Sequence, residues 1–179
     1  MAAMLMGAWS LQSCDNEPTK EVWLDEFGQD SCYVQDWGML EVNRSVVHTP
    51  LTVNGVVYER GLGAHSISRL LYDLDGKAVS ISGLAGADDK NLFAGKLQFK
   101  ILGDKKELWK SGVMQKGDPV KEFNVNLKGV DKVLLLVEEC GDGIMYDHAD
   151  WLNVKITTRG DVKPVPAWAK PVAKEKYIL

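Results

Sequence analysis

The sequence predicts an all-β domain, an antiparallel β-sandwich of about eight to ten strands. Three observations support this fold class. Apolar residues alternate with polar ones over short segments, as in half-buried strands. Turn signals such as Asn54-Gly55 and Asp75-Gly76 recur at intervals suited to short strands. In addition, no segment keeps a helical periodicity of apolar residues over ten positions.

The individual strands follow from this alternation. Val79 and Ile81 alternate with serines, and the alternating apolar sets of two later segments are Leu97, Phe99 and Ile101, then Phe123, Val125 and Leu127. Residues 133–137 (VLLLV) are apolar at every position. This run predicts a central strand that is covered on both faces.

Length and charge restrict the classes of function. The chain has 179 residues, which leaves room for about one domain. Its 21 Lys and Arg against 25 Asp and Glu give a net charge of −4, without a basic run that would follow a nucleic-acid backbone. No stretch reaches the 18 or so consecutive apolar residues of a membrane-spanning helix. We therefore expect neither a nucleic-acid partner nor a transmembrane helix.

The N-terminal segment, residues 1–19, has the order of a processed leader. Residues 1–13 are uncharged and mostly apolar, and residues 11–14 (LQSC) resemble a bacterial lipobox that ends in Cys14. No Lys or Arg precedes the apolar stretch, and a short buried helix or an irregular tail is the alternative. We expect lipidation at Cys14 and a periplasmic or cell-surface location. Cys32 and Cys140 would then either form one disulfide or remain as two buried thiols.

The C-terminal segment, residues 159–179, reads as a linker. Three of the six prolines fall in residues 161–176, where they alternate with Ala and Lys. We expect this extended segment to lead to a further domain beyond the chain. The folded domain is then predicted to span residues 20–158.

The last predicted strand contains a tryptophan out of phase with its apolar neighbours. Leu152, Val154 and Ile156 alternate, so a period of two places Trp151 on the opposite face. The loop before it includes Asp147, His148 and Asp150. An indole beside carboxylates and an imidazole suits a sugar, which offers C–H groups to the ring and hydroxyls to the polar groups. The alternative is that Trp151 covers an edge of the sandwich while the aspartates cap turns.

Two further segments carry similar side chains. Glu59, Arg60 and His65 surround Gly61 and Gly63, glycines that permit a tight turn or a close backbone approach. The alternatives are a backbone-bonded buried histidine and a solvated Glu59–Arg60 ion pair.

Trp37 lies earlier in the chain, next to an amide and a carboxylate in the segment QDWG at residues 35–38. It is either a further ring for the same site or a partly buried anchor of its loop.

Enzymatic chemistry finds little support in the sequence. The Gly-x-Ser-x-Gly elbow is missing, and the three histidines lack the spacing of zinc ligands. Glu59, Asp147 and Asp150 show no spacing that demands the carboxylate pair of a glycosidase. Asp88 and Asp89, in the segment GADDKN, offer hard oxygens for calcium, and a solvated turn is the alternative.

The segments RGLGAHS (residues 60–66) and DHADW (residues 147–151) closely resemble the NPCBM family, which includes family 51 of the carbohydrate-binding modules. The resemblance covers about residues 21–158. It implies a jelly-roll, galactose-binding-domain-like sandwich without catalytic activity, often with a structural calcium. It also implies attachment to glycoside hydrolases and recognition of galactose-containing glycans. The site residues that it suggests are Trp37, Glu59, Arg60, His65, Asp147, Asp150 and Trp151.

A second resemblance suggests what kind of protein this domain belongs to. Residues 166–179 look like the connector that follows this module in some bacterial α-galactosidases with a barrel catalytic domain. The function expected from the sequence is therefore to target such an enzyme to its substrate. The alternative is an accessory domain that stabilises the parent enzyme and binds no sugar.

Overall fold

The fold is all-β and antiparallel, as the sequence predicts. The computed structural model describes residues 17–27, 33–93 and 95–160, and the backbone of residues 165–166. Within these residues there are fourteen strands, nine of them with five or more residues, and one short 3-10 helix, Leu24–Phe27. The strands are β1 Thr19–Trp23, β2 Tyr33–Gln35, β3 Glu41–Val42, β4 Leu51–Val53, β5 Val56–Tyr58, β6 Gly61–His65, β7 Ser68–Asp73, β8 Ala78–Ala87, β9 Leu97–Gly103, β10 Lys106–Met114, β11 Lys121–Asn126, β12 Lys132–Glu139, β13 His148–Arg159 and β14 Val165–Pro166.

Two six-stranded sheets and one hairpin make up the domain. The first sheet has the order β11-β8-β13-β6-β3, with β1 also paired to β13. The second has the order β10-β9-β12-β7-β14, with β2 also paired to β7. Strand β12, which contains the predicted VLLLV run, lies between β9 and β7, so its central position is confirmed.

The core lies between the two sheets and contains the alternating residues named above, with the exception of Val79. The register of β8 with β13 shifts there, so Ala78 is in the core and Val79 is only half-buried. Leu97, Phe99 and Ile101 are fully buried, and Phe123 and Val125 are at most 6% exposed. Buried apolar residues of both sheets belong to one cluster. The period-two interpretation is therefore confirmed for β9 and β11.

Trp151 departs from the prediction, because it faces this core. Its indole is 0% exposed and packs edge-on against Phe99 and Phe123, with centroid distances of 4.9 and 5.7 Å. The cause is a bulge at Asn153, which has φ of 50°, where the register with β8 shifts. The extra residue returns Val154 to the same face as Trp151. The predicted outward orientation of Trp151 is wrong, because strict alternation does not continue across a bulge.

Leu152 lies on the other face of β13, beneath the hairpin of β4 and β5. It forms a small apolar cluster with Leu51 and Val53. Asn54 and Gly55 form the tip of the hairpin, both with positive φ, as the sequence predicts for an Asn-Gly turn. The hairpin thus covers the outer face of the first sheet at this point.

The glycines of the GLG segment allow the close approach that the sequence suggests. A Cβ atom on Gly63 would collide with the backbone of Arg44 and Ser45, and one on Gly61 would collide with the Trp151 carbonyl. Only glycine leaves room for these backbones. The 43–45 loop can therefore lie directly over β6.

Several sequence predictions lie outside the described residues. They include Cys14, Cys32 and nearly all of the linker predicted for residues 159–179. Cys140 is described and half-buried, after the end of β12. Within the described part of the chain, no helix has the length and the apolar character to cross a bilayer.

The two tryptophans Trp151 and Trp37 provide a matched test of burial. We expect Trp151→Ala to lower the free energy of unfolding by about 3–5 kcal/mol, because it leaves a large cavity between the sheets. Trp37→Ala, at a position that is 48% exposed, is expected to change stability far less. Urea unfolding of both variants measures the difference. Equal losses would contradict the placement of Trp151 in the core.

Candidate functional site

Three aromatic rings meet at one end of the sandwich, where β13 begins and β6 ends. The ring of Trp37 is nearly parallel to that of His148, with an interplanar angle of 6° and a centroid distance of 5.8 Å. His65 completes the group, 4.8 Å from Trp37 and 5.5 Å from His148. His65 and His148 face each other across the β6–β13 pairing. We call Trp37, His65 and His148 the ring cluster.

Trp37 is exposed but firmly held. The ring is 48% exposed, whereas His65 and His148 are 3% and 8% exposed. The Gln35 side-chain amide donates to the Trp37 carbonyl at 2.8 Å, and the backbone amide of Asp36 donates to the Ile67 carbonyl at 3.1 Å. Gly38 follows with φ of 68° and packs against Val46. The fixed indole therefore offers an accessible surface above two covered imidazoles.

Ser66 and Asp147, the chain neighbours of His65 and His148, add polar groups next to the ring cluster. The Ser66 hydroxyl donates to Asp147 Oδ2 at 2.5 Å, while Asp147 Oδ1 is buried without a protein partner. His65 Nδ1 is 2.7 Å from the Ser66 carbonyl, an arrangement that requires Nδ1 to carry the proton and leaves Nε2 as an acceptor. His148 Nδ1 is buried and unpartnered. These groups retain unused hydrogen-bonding capacity.

Burial controls the charges of the site. It lowers the pKa of His65 and of His148, so both imidazoles favour the neutral form. Burial also raises the pKa of Asp147 to about 6, although the Ser66 hydroxyl opposes the shift. The ring cluster is therefore largely uncharged near neutral pH, and the Asp147 carboxyl group that precedes His148 has a raised pKa.

Asp150 is fully buried next to Asp88, on the same face of β13 as His148. Both Asp150 oxygens lack a protein hydrogen-bond donor. Burial, followed by the nearby Asp88 carboxylate, raises the Asp150 pKa well above its usual value. The sequence assigned Asp150 to sugar contact, but a completely buried carboxylate cannot touch a ligand at the surface. Asp88 and Asp150 form what we call the carboxyl pair.

The two predicted calcium ligands have different surroundings. Asp89 accepts the Asn54 and Gly55 amides at 3.0 and 2.7 Å, and thereby fixes the tip of the β4–β5 hairpin. Asp88 accepts the Lys90 amide at 2.6 Å and lies against Asp150. Among the described residues, no group of three or more His, Cys, Asp or Glu side chains is arranged to hold a metal. Any cation at the carboxyl pair would therefore need further oxygen ligands from carbonyls or water.

Glu59 and Arg60 lie away from the ring cluster. Arg60 precedes β6 whereas His65 ends it, so a strand of about 16 Å separates them. The Arg60 guanidinium pairs with Asp25 at 2.9 Å and Glu26 at 3.1 Å, and its carbon atom lies 4.4 Å from the centre of the Trp23 ring. These contacts fasten the 3-10 helix to the sandwich. Glu59 is exposed beside Arg60 and does not join the ring cluster.

The structure thus brings together Trp37, His65 and Asp147 from the predicted set and adds residues that sequence reasoning passed over. His148 lies within the DHADW segment, and its motif position was the available signal. Gln35 accepts the His65 amide at 3.1 Å. Asn91 exchanges two hydrogen bonds with the His148 backbone, at 2.9 and 3.1 Å. Gln35 and Asn91 support the rings through the backbone, a role without a sequence pattern.

Asp147 gives the domain a pH dependence of defined sign. Its pKa rises from 3.8 to about 6 on folding, so between these values the folded state binds more protons than the unfolded state. The stability contributed by this carboxyl group therefore falls as the pH rises from about 4 to about 6. We expect Asp147→Asn to become more stable relative to the wild type across this range, with a plateau above it.

Urea unfolding at a series of pH values measures this difference, in which the contributions of the two histidines cancel. Asp75→Asn is the matched control, because Asp75 is exposed in the turn between β7 and β8 and its charge is not among those that shift the Asp147 pKa. This variant should keep the pH dependence of the wild type. A constant difference between Asp147→Asn and the wild type would contradict the assignment.

Comparison with known proteins gives relatives for this domain. Over 130 residues the chain is 29% identical to alpha-1,3-galactosidase B of Akkermansia muciniphila, covering 70% of this chain and 16% of that protein. It is also 29% identical, over 154 residues, to a putative endo-alpha-N-acetylgalactosaminidase of Renibacterium salmoninarum, covering 83% and 10%. The chain therefore spans a small part of the length of both relatives.

Solved structures share the fold. CBM51 from Clostridium perfringens GH95, in complex with methyl-galactose, superposes with a TM-score of 0.69 at 25% identity, covering 76% of this chain and 99% of that chain. The structure of the M60 catalytic domain with CBM51-1 and CBM51-2 from Clostridium perfringens ZmpB gives 0.71 at 28% identity, covering 79% and 15%. The model of the NPCBM/NEW2 domain matches residues 20–157. The chain belongs to the NPCBM/NEW2 domain family and has the fold of the CBM51 carbohydrate-binding modules.

Proposed function

We propose that the ring cluster is the sugar-binding site and that it recognises galactose-type residues. The observation that carries this proposal is the Trp37 ring, half exposed and fixed parallel to His148. A pyranose presents a patch of C–H groups on one face, and a rigid exposed indole is a suitable surface for it. Little ordering is then required when the sugar binds.

In this proposal, the preference for one sugar over another follows from the polar groups beside the Trp37 ring. His65 Nε2 is an acceptor, and the His148 ring holds an unused nitrogen atom. A site built to bond an axial hydroxyl leaves such groups unpaired when the equatorial epimer binds. The buried position of these atoms requires a small local movement when the ligand enters. Glucose is expected to bind more weakly than galactose.

The relatives support the choice of sugar. One solved relative is a complex with methyl-galactose, and the two enzymes similar in sequence have names that refer to galactose and N-acetylgalactosamine. We extend this chemistry to the present chain. In this proposal the domain binds without cleaving and keeps an attached glycoside hydrolase, such as an α-galactosidase, close to its substrate. Proximity raises the effective concentration of substrate even when one site binds weakly.

Export of the protein belongs to the same proposal. Glycans of this type are met outside the cell, and the leader-like order of residues 1–14 supports export with lipidation of Cys14. Mass spectrometry of the protein expressed in a bacterial host tests this part directly. A mature N-terminus at Cys14 carrying acyl chains is the expected result, and an intact residue 1 would contradict it.

We also propose a structural calcium at the carboxyl pair. Asp88 and Asp150 bring two buried carboxylates together, and the Asp150 oxygens lack a protein donor. Such a pair needs either a shared proton or a cation to compensate its charge. Calcium is coordinated by carboxylate and carbonyl oxygens in flexible geometry, so the oxygens of the carboxyl pair are suitable ligands for it. Asp88 was expected from the sequence, and Asp150 takes the second position in place of Asp89.

Sugar binding is tested with Trp37→Ala. We expect the wild type to bind methyl galactoside with micromolar to millimolar affinity and the variant to bind at least about ten-fold more weakly, equivalent to ~1.4 kcal/mol. The loss follows from removal of the stacking surface. Isothermal titration with methyl galactoside, methyl glucoside and N-acetylgalactosamine measures affinity and preference.

Met39→Ala is the matched control, because Met39 is 62% exposed near the same loop and lies outside the ring cluster. It should bind sugar like the wild type. Equal binding by Trp37→Ala and the wild type would overturn the site. If the wild type bound none of the sugars, the proposed function would fail and an accessory role in the parent enzyme would be favoured.

Calcium is tested with Asp150→Asn. Wild-type protein freed of metal by a chelator should gain thermal stability when calcium is restored. At a hundred-fold excess over Kd the gain is about 2.7 kcal/mol, or about 8 °C for a domain of this size. Asp150→Asn should lose this response, whereas Asp142→Asn should retain it. An unchanged wild-type melting temperature would overturn the calcium proposal and favour a shared proton.

A further inference from the structure

An exposed apolar patch lies beside the ring cluster, on the loop between β8 and β9 and the loop between β12 and β13. It consists of Leu92, Phe93, Met145 and Tyr146, and we call these four residues the apolar patch. Leu92, Phe93 and Met145 are 75%, 66% and 73% exposed. Phe93 and Tyr146 pack edge to face, with ring centroids 4.9 Å apart and an interplanar angle of 64°. Exposed apolar groups of this size gathered at one point mark a surface for contact.

The apolar patch is joined to the ring cluster through the backbone. Asn91, next to Leu92, is fully buried and exchanges two hydrogen bonds with the backbone of His148, two residues after Tyr146. Gly95 lies against the Asp147 carboxylate and the Met145 and Tyr146 carbonyls so closely that a Cβ atom would collide with them. The two loops are therefore packed together, and the patch has a defined position next to His148.

Further hydrogen bonds hold the two loops in place. The Lys116 ammonium donates to the Asn91 carbonyl at 2.8 Å, and the Asn91 amide donates to the Asp88 carbonyl at 3.2 Å. The Cys140 amide donates to the Lys96 carbonyl at 2.9 Å, which ties the two ends of the loop region. Phe93 is thus presented outward from a supported segment.

We infer that the apolar patch is a second subsite, which takes the sugar ring next to the galactose-type residue bound at the ring cluster. This inference rests on the proposed function. The hydrogen bonds between Asn91 and the His148 backbone hold the patch next to the ring cluster. The Phe93–Tyr146 pair offers an aromatic surface to the C–H face of a second pyranose. A protein partner would need a far larger area than these four side chains provide. The domain would therefore recognise a disaccharide rather than a single terminal sugar.

The test compares methyl α-galactoside with galactosyl-α-1,3-galactose by isothermal titration of the full chain. We expect the wild type to bind the disaccharide about 3- to 10-fold more tightly, the effect of one aromatic contact. Phe93→Ala should reduce this advantage to about one-fold and leave the affinity for methyl α-galactoside unchanged. Phe93→Tyr should keep the advantage, because the aromatic surface remains.

Val57→Ala serves as the control, since Val57 is 62% exposed on the β4–β5 hairpin and lies outside the patch. Thermal unfolding checks that each variant is folded. Equal affinity of the wild type for both sugars, or an equal loss for both in Phe93→Ala, would overturn the second subsite while the proposed function stands. If neither sugar binds the wild type, the proposed function fails and the subsite fails with it.

Discussion

Strand β13 pairs with β8 along one edge and with β6 and β1 along the other, so the first sheet is assembled around it. Its first half must place Trp151 in the core between the sheets, with His148 and Asp150 on the opposite face of the strand. Its second half must return Val154 and Ile156 to the core. A strand with an unbroken period of two cannot do both, and the bulge at Asn153 reconciles them. The site at the start of β13 depends on this change of phase.

Exclusion of water determines the protonation of the two histidines in the ring cluster. Trp37 covers His65 and His148 and, together with the sandwich, leaves them at most 8% exposed. Their pKa values are lowered because an imidazolium would lose hydration there. A site of neutral imidazoles and indole suits a neutral, polyhydroxylated ligand, since no buried charge has to be compensated when it binds. Selectivity then depends on matching hydroxyl positions, rather than on net charge.

The sequence predicted the fold class, most of the alternating strands and the two segments that carry His65 and His148, which meet in the structure. It could not predict the phase of Trp151, because one Asn in a strand is only a weak signal for the positive φ that makes the bulge at Asn153. RGLGAHS is contiguous in sequence, yet its first and sixth residues lie at opposite ends of an extended strand, so Arg60 and His65 serve different parts of the molecule. Phe93 and Tyr146 lie on loops, where no periodicity signals that they meet.

Asn91 links the carboxyl pair to the ring cluster, the two places for which we propose ligands. Its backbone amide bonds to the carbonyl of Asp88, a member of the carboxyl pair, and its side chain bonds to the backbone of His148, a member of the ring cluster. The next residues of the same loop carry Leu92 and Phe93. A cation that neutralised Asp88 and Asp150 would therefore hold the segment from which both the histidine and the apolar patch are positioned. Calcium would then strengthen sugar binding without touching the sugar, because the loops would lose less freedom when the ligand arrives.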